Sequence, residues 1–335
     1  MSLFEGLEID KIIADGDLDG LIAASILKTY FTDVKTTFAH PAEIRNGNLD
    51  QIIDINTAIC DLPFHPNCGL YLDHHSTNKP TDAELEVFTL GGGKCAWYPV
   101  DSAARVAFDL CSKEIDLSHL EAFMEMVDKL DSGKISLSEF NSDNSILWLS
   151  KTINLEDLDY VYLLLDWFSS GKDVDEILHS DEVTSRINKI KQEQTELRRI
   201  IIENGEVRDR IAIVKMQDTG HRTNGYLVTS TFGDECDACI IIHGFSDGVI
   251  GDHSCYPLSA SFYCNSFLHR NQGVFNLTKL AQSFDENGGG HYNACGCRIM
   301  PLDDGKVTKR KVIQNDIDKN IEEWLKIWSS RNYDE

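Results

Sequence analysis

The chain has 335 residues, 42% of them hydrophobic, which is more than one ordinary core needs and points to two domains. Its 55 acidic residues against 31 basic ones leave a formal charge of −24, which excludes a protein that grips long duplex nucleic acid through many phosphate contacts. No stretch reaches the unbroken apolar length of a membrane span, and the opening Met-Ser-Leu-Phe-Glu-Gly-Leu-Glu is acidic where a signal peptide is basic, so a cytoplasmic location and no membrane partner are expected.

Lys11 to Ala14 is a β-branched run that reads as a short buried strand, and the spacing of Leu21, Ala24, Leu27 and Tyr30 is that of a helix. Between them lie Asp15, Asp17 and Asp19, with Gly20 allowing a sharp exit. Three carboxylates so close repel one another unless water solvates them or a cation neutralises them. A solvated acidic turn accounts for this loop about as well as a metal site does when the loop is taken alone. Its place at the carboxyl end of a strand, where open α/β sheets collect their ligands, favours the metal.

Later strands repeat the pattern. Val34 to His40 reads as a second strand, and Asn56 to Cys60 as a third that runs into Asp61-Leu62-Pro63, where proline stops the ladder. Gly69 to Leu72 is a fourth, ending in Asp73-His74-His75-Ser76-Thr77. Three predicted strands therefore finish in residues of metal-ligand type.

Leu90-Gly91-Gly92-Gly93-Lys94 lacks the spacing of a phosphate-binding P-loop and reads as a surface loop. Asp101 or Ser102 caps a helix through about Leu110, and Leu117 to Leu130 is a helix that delivers Asp128 and Asp131 before Ser132-Gly133. Carboxylates at a helix carboxyl end are unfavourable without a nearby positive group. Residues 154 to 180 read as helical and acidic, and 182 to 203 as a long charged helix ended by Asn204-Gly205.

From Ile211 the texture changes to short β runs at Ala212 to Met216, Tyr226 to Thr229, Ala238 to His243 and Leu258 to Cys264. The boundaries read as 1–180 for a first domain, 181–204 for a helical linker and 205–335 for a second domain. The second domain carries a helix-like stretch from Leu277 to Phe284, then Gly288-Gly289-Gly290-His291, where glycines permit close backbone approach to an anion and the histidine can donate to phosphate. Residues 316 to 328 form an amphipathic terminal helix. Ten cysteines in a chain expected to be cytosolic are read as reduced. Cys236 and Cys239 are weighed with Cys295 and Cys297 as a zinc site, but Cys239 opens an apolar strand run and no second CxxC accompanies the first, so core packing is preferred.

Taken in order, Asp15-Gly16-Asp17-Leu18-Asp19-Gly20, Asp61-Leu62-Pro63, Asp73-His74-His75, Asp131-Ser132-Gly133 and Gly288 to His291 resemble the successive motifs of the DHH phosphoesterase superfamily, in the two-domain form with a DHHA1 domain. The branch most similar is that of nanoRNA-degrading and RecJ-like phosphodiesterases. The resemblance implies an α/β fold: an N-terminal mostly parallel sheet with flanking helices, linked by a helix to a smaller α/β domain. It also implies two Mn²⁺ ions, with Mg²⁺ as the alternative. Mapped by motif, Asp17 and Asp19 each favour one metal, Asp61 bridges both, and His74 and Asp131 complete the second site. His75 orients the phosphate or helps protonate the leaving oxygen, and Asp73, with Asp128, supports the ligands from behind. Oxygen ligands with one imidazole suit Mn²⁺ and two-metal displacement at phosphorus.

Two departures stand out. Many relatives place a histidine before the first motif, where this chain has Lys11 and Ile13, and Asp15 is the candidate substitute. Relatives also carry a phosphate-binding arginine in the second domain where this chain has Tyr263; Arg270 and His269 lie nearby in sequence, and the Tyr263 ring could stack on a base. The implied activity is hydrolysis of very short oligonucleotides to mononucleotides. The alternatives are a hydrolase of linear or cyclic dinucleotides or of 3′-phosphoadenosine nucleotides, and a non-catalytic nucleotide-binding relative.

Overall fold

The computed structural model describes residues 3–252, 254–270 and 273–331. Its chain forms two compact units, one of Met1–Ile135 with Asp143–Ile190 and the other of Ser136–Ser142 with Lys191–Glu335.

The first unit opens with β1 (Lys11–Asp15), α1 (Leu18–Tyr30), β2 (Lys35–Ala39), α2 (Pro41–Arg45), β3 (Thr57–Cys60), β4 (Leu70–Asp73), α3 (Asp82–Leu90) and β5 (Lys94–Trp97). The five strands form one parallel sheet in the order β2-β1-β3-β4-β5. Parallel strands joined by crossovers are covered on both faces, which is why β3 and β4 are buried at every residue. One face carries Ile12, Ala14 and Leu72 into a core shared with α1 and with α4 (Ala103–Cys111), α5 (Glu121–Asp131) and α8 (Leu158–Ser169). The other carries Ile13, Ile59 and Tyr71 against Ile44 of α2 and Phe88 of α3. The sequence reading finds the first four strands and misses β5. Its four residues form a half-buried edge strand directly after three glycines, so no apolar run announces it.

The side on which successive strands are added reverses between β1 and β3 in this order, and ligands gather outside the carboxyl ends of strands at such a switch point. Asp15 ends β1, Asp61 follows β3 and Asp73 ends β4, so all three stand at that edge.

The short helix α6 (Leu137–Phe140) belongs to the second unit. The chain then returns to the first for α7 (Ser145–Ser150), α8 and α9 (Val174–Leu178), and α10 (Asp181–Glu203) runs from one to the other. The second unit is built on β6 (Gly205–Arg208), β7 (Ile211–Lys215), α11 (Gly225–Phe232), β8 (Ala238–His243), β9 (Ser259–Cys264), α12 (Thr278–Ala281), β10 (Gly289–His291) and β11 (Ala294–Arg298). A two-stranded ribbon, β12 (Leu302–Asp303) with β13 (Lys306–Val307), and α13 (Asn315–Ser329) complete it. Its mixed sheet runs β10-β11-β9-β8-β7-β6. Ile213, Ile240 and Phe262 pack on Trp324 and Trp328 of α13, while Ala212, Val214 and Ile241 meet Ile200 and Ile201 of α10 and Val228 of α11 on the other face.

Tyr226 to Thr229, read as a β run, is the middle of α11. Asn224 caps the helix by accepting from the Leu227 amide at 3.0 Å, and the turn so started buries Leu227 and Val228 together, which an alternating strand does not do. Among the described residues no helix is long and apolar enough to cross a membrane.

Candidate metal centre

Asp61 has the backbone torsion φ of +59°, a left-handed conformation that aspartate tolerates better than most side chains. Its amide donates to the Leu72 carbonyl at 3.0 Å, which ties the turn to the neighbouring strand, and its carboxylate is buried. His74 and His75 follow β4, and Asp131 is the last residue of α5. One ligand atom each from Asp61, His74, His75 and Asp131 falls within 4.8 Å of all the others.

The hydrogen bonds decide which atoms are free to ligate. His74 Nδ1 lies 3.1 Å from the Val100 carbonyl, an acceptor only, so Nδ1 carries the proton and Nε2 presents its lone pair. That Nε2 stands 2.8 Å from Asp131 Oδ2, 3.8 Å from Asp19 Oδ2 and 4.0 Å from Asp61 Oδ1. Asp61 Oδ1, His74 Nε2 and Asp131 Oδ2 are all buried, and none has a donor aimed at it. Acceptors facing one another at such distances need a cation, either a metal or a proton on Nε2. Burial alone pulls the His74 imidazole down, but Asp131 outweighs it and raises its pKa. Two carboxylates and one imidazole form a donor set that fits Mn²⁺ or Mg²⁺.

Asp19 lies in the first turn of α1 and is buried, and both its oxygens accept from helix α4, Oδ2 from the Ala103 amide and Oδ1 from the Ala104 amide, each at 2.7 Å. Burial, with Asp131 and Asp17 beside it, pushes the Asp19 carboxyl well above the usual range. Burial and the facing Asp19 do the same to Asp61. Asp15 is pushed up to about 6, by burial first and then by Asp17, while Gly16 donates to its Oδ1 at 2.6 Å. Asp17 is exposed and caps α1, its Oδ1 accepting from the Gly20 amide at 3.0 Å. Asp17, Asp19 and Asp131 line a cavity of about 250 Å³ with Ser150, Leu18 and Leu130.

Asp73 is fully buried and spends its oxygens within the protein. Oδ1 accepts from the amides of His74 (2.7 Å) and His75 (3.2 Å) and from His75 Nδ1 (3.0 Å), and Oδ2 accepts from the Tyr71 hydroxyl at 2.7 Å. Burial works against its charge, but the His75 and Tyr71 bonds hold the Asp73 carboxyl below the usual carboxylate range. The Asp73 bond in turn raises His75, whose ring is half-exposed. Asp128 touches none of these ligands. It accepts from Ser102 Oγ at 2.7 Å and from Arg105 Nη2 at 2.6 Å and Nε at 3.0 Å, which fixes the end of α4 whose amides hold Asp19.

Besides Tyr71, three contributors escaped the sequence reading. Val100 sets the His74 tautomer, the α4 amides grip Asp19, and His40, which follows β2, lies near enough to Asp15 to favour its charged form. Only Tyr71 had a local signal, as it sits two positions before Asp73 on the same strand.

The residues singled out in the second unit form a separate set. Gly288 donates its amide to the Asp285 carbonyl at 2.8 Å, and a Cβ there would stand 2.2 Å from the Ala281 carbonyl oxygen. Gly289, Gly290 and His291 form β10, with His291 exposed. Tyr263 is packed beneath Gly225, where a Cβ would come within 2.3 Å of it. His269 Nε2 is 3.0 Å from Asp237 Oδ1, which also pairs with Arg210, and Arg270 is exposed. Cys236 and Cys239 lie in the core on one face of the sheet and Cys295 in the core on the other. Burial pushes the Cys236 and Cys295 thiols up to about 12, as for core residues.

No family model and no curated protein matches the chain. Among solved structures it is similar to the pGpG-specific phosphodiesterase PggH from Vibrio cholerae, at 20% identity and a TM-score of 0.73 over 96% of this chain and 99% of that one. It is also similar to the exonuclease RecJ bound to manganese, at 11% identity and 0.57 over 98% and 93%. The DHH domain of a protein described as a member of a ribosomal protein family aligns at 12% identity and 0.54 over 98% and 88%. The chain shares the fold of these solved structures, an N-terminal parallel sheet with flanking helices followed by a second mixed sheet.

Proposed function

We propose that the chain is a divalent-metal-dependent phosphodiesterase that cleaves very short linear oligonucleotides, dinucleotides included. The observation that carries this reading is the convergence of three buried ligand atoms without donors, from Asp61, His74 and Asp131, at the carboxyl edge of the sheet. Bound there, Mn²⁺ would lower the pKa of a water and stabilise charge on a phosphoryl group. Asp61, His74 and Asp131 would hold it, with Asp15, Asp17 and Asp19 supplying further carboxylate.

The chain's own side chains supply the rest. His75, held through Nδ1 by Asp73 and half-exposed, can orient a phosphate or give a proton to the leaving oxygen. Asp73 and Tyr71 fix that ring. The overall charge of −24 disfavours long substrates. Similarity to a pGpG-specific enzyme brings the linear dinucleotide into the range of substrates.

The test is mononucleotide release from labelled di- to pentaribonucleotides and pGpG with added Mn²⁺, beside an Asp61→Ala variant. Release that slows with length and is lost in the variant supports the reading, and hydrolysis of pGpG alone narrows it to dinucleotides. No release from any of these, with nucleotide still bound, would replace it with a binding-only protein.

A further inference from the structure

A cavity of about 350 Å³ lies within the second unit, where the chain leaves β8 at Phe245, enters β9 at Leu258 and leaves β11 at Ile299. Leu258, Ile299 and Val312 belong to or pack against the core beneath α13, so the floor is apolar. Ile250, on the same lining, is 75% exposed. Apolar surface left in water beside an apolar floor favours an occupant with an apolar body. Among the described residues, neither Gly288 to His291 nor any residue of the metal centre lines this cavity.

The charges around it run against the rest of the chain. The described lining holds three cations, Arg298, Arg310 and Lys311, and no carboxylate, in a chain with 55 acidic and 31 basic residues. The acids that fix the two guanidiniums are buried: Asp285 and Asp316 expose 3% and 0% of their side chains, where Arg298 and Arg310 expose 44% and 30%. The cations therefore face solvent with their counter-charges behind them. Arg298 donates Nε and Nη2 to Asp285 at 3.1 and 3.0 Å, which fixes its plane, and among the described residues its Nη1 has no acceptor. Arg310 spends its donors on Asp303, Asp316 and the Leu302 and Lys311 carbonyls, so it contributes charge alone. Lys311 is exposed, and among the described residues its amine has no carboxylate partner. A guanidinium already held in place loses little freedom when an anion binds.

We infer that the cavity binds one small organic anion with a flat apolar body, a nucleoside monophosphate, its phosphate on Arg298 Nη1 and Lys311 and its base on Ile299 and Val312. The volume stands at the small end of the range of ligand pockets, roughly 300–1,000 Å³, and so admits a mononucleotide and not a longer chain. Anion binding rests on the cavity alone. The choice of a nucleotide rests on the proposed reaction, which would release one.

The test uses the full chain without metal, its methionine methyl groups labelled with carbon-13. The sequence has five methionines, and Met300 lines the cavity while Met124, Met126 and Met216 are buried elsewhere. The Met300 resonance is assigned with Met300→Leu, and guanosine and adenosine monophosphate are titrated beside inorganic phosphate and octanoate. A nucleotide is expected to shift the Met300 resonance saturably, with affinity weakened roughly tenfold in Lys311→Glu. Lys306→Glu, the same change of charge on the exposed ribbon outside the cavity, is expected to leave affinity unchanged. The inference is overturned by no saturable shift with either nucleotide up to about 10 mM, by a shift with octanoate or inorganic phosphate alone, by binding in Lys311→Glu within about twofold of the unaltered protein, or by an equal loss in Lys306→Glu. Hydrolysis is assayed separately with Mn²⁺, so failure of the proposed reaction and failure of this site are read from different signals.

Discussion

Two buried carboxylates of the first unit, Asp19 and Asp61, meet a fate opposite to that of the buried carboxylates of the second. In the second, each described one has a cation: Asp237 has Arg210, Asp285 has Arg298, and Asp316 has Arg310. All three carboxyls lie below the usual range, Asp285 at about 2 chiefly through its bonds to Arg298, while Asp237 and Asp316 get there against burial through their arginine bonds. In the first, Asp19 and Asp61 are equally buried, and among the described residues neither has a lysine or arginine partner; both lie well above the range. A chain that elsewhere pairs its buried acids leaves this group to be neutralised from outside. The contrast, more than the acidity, marks the centre.

The strongest break in that contrast is functional. On the proposed reading, in which Asp61 holds the metal, Asp61→Ala is expected to lower turnover about a thousandfold or more in a steady-state assay. His75→Asn is expected to lower kcat roughly 100-fold with Mn²⁺ binding retained, which separates the group facing substrate from those facing the ion.

Stability sharpens the comparison. Mn²⁺ at a hundredfold over its Kd is expected to raise unfolding free energy by about 2.7 kcal/mol, reversed by chelation, as seen in denaturant melts. One chemical change should then have two signs. Asp285→Asn is expected to destabilise by about 2 kcal/mol, because it leaves Arg298 without its partner. Asp61→Asn is expected to stabilise the metal-free protein, by on the order of 1 kcal/mol, because it removes a repulsion.

The smallest effect is in pH. Asp15, at about 6 in the folded chain, binds its proton more tightly than in the unfolded one, so its contribution favours folding at low pH and is lost as pH rises through about 6. Asp285 does the reverse, contributing above the unfolded carboxylate range and losing that contribution as pH falls through about 2. Metal-free melts should therefore show stability falling between about pH 4 and 7 by the cluster's share, and excess Mn²⁺ should flatten that slope.

Much of this was legible in the sequence. The buried runs before Asp15, Asp61 and Asp73 placed three strand ends together, because parallel strands with crossovers leave their carboxyl ends on one edge. What was not legible is how each carboxylate is spent. Asp73 and Asp61 look alike in sequence, yet Tyr71 and His75 saturate the first and nothing donates to the buried Oδ1 of the second. Asp128 sits three positions before Asp131 on α5, but Arg105, distant in sequence, claims it. Tyr226 to Thr229 failed because β-rich composition was outweighed by the Asn224 cap and by packing on the sheet.

The left-handed backbone at Asp61 has a further consequence. Asparagine fits that conformation as readily as aspartate, and the exchange keeps the shape of the side chain. Selection for chemistry and selection for a stable fold therefore act against each other at this one position. Were the proposed hydrolysis no longer needed, asparagine would be tolerated at this position with nothing in folding to oppose it, and the scaffold would outlast the reaction.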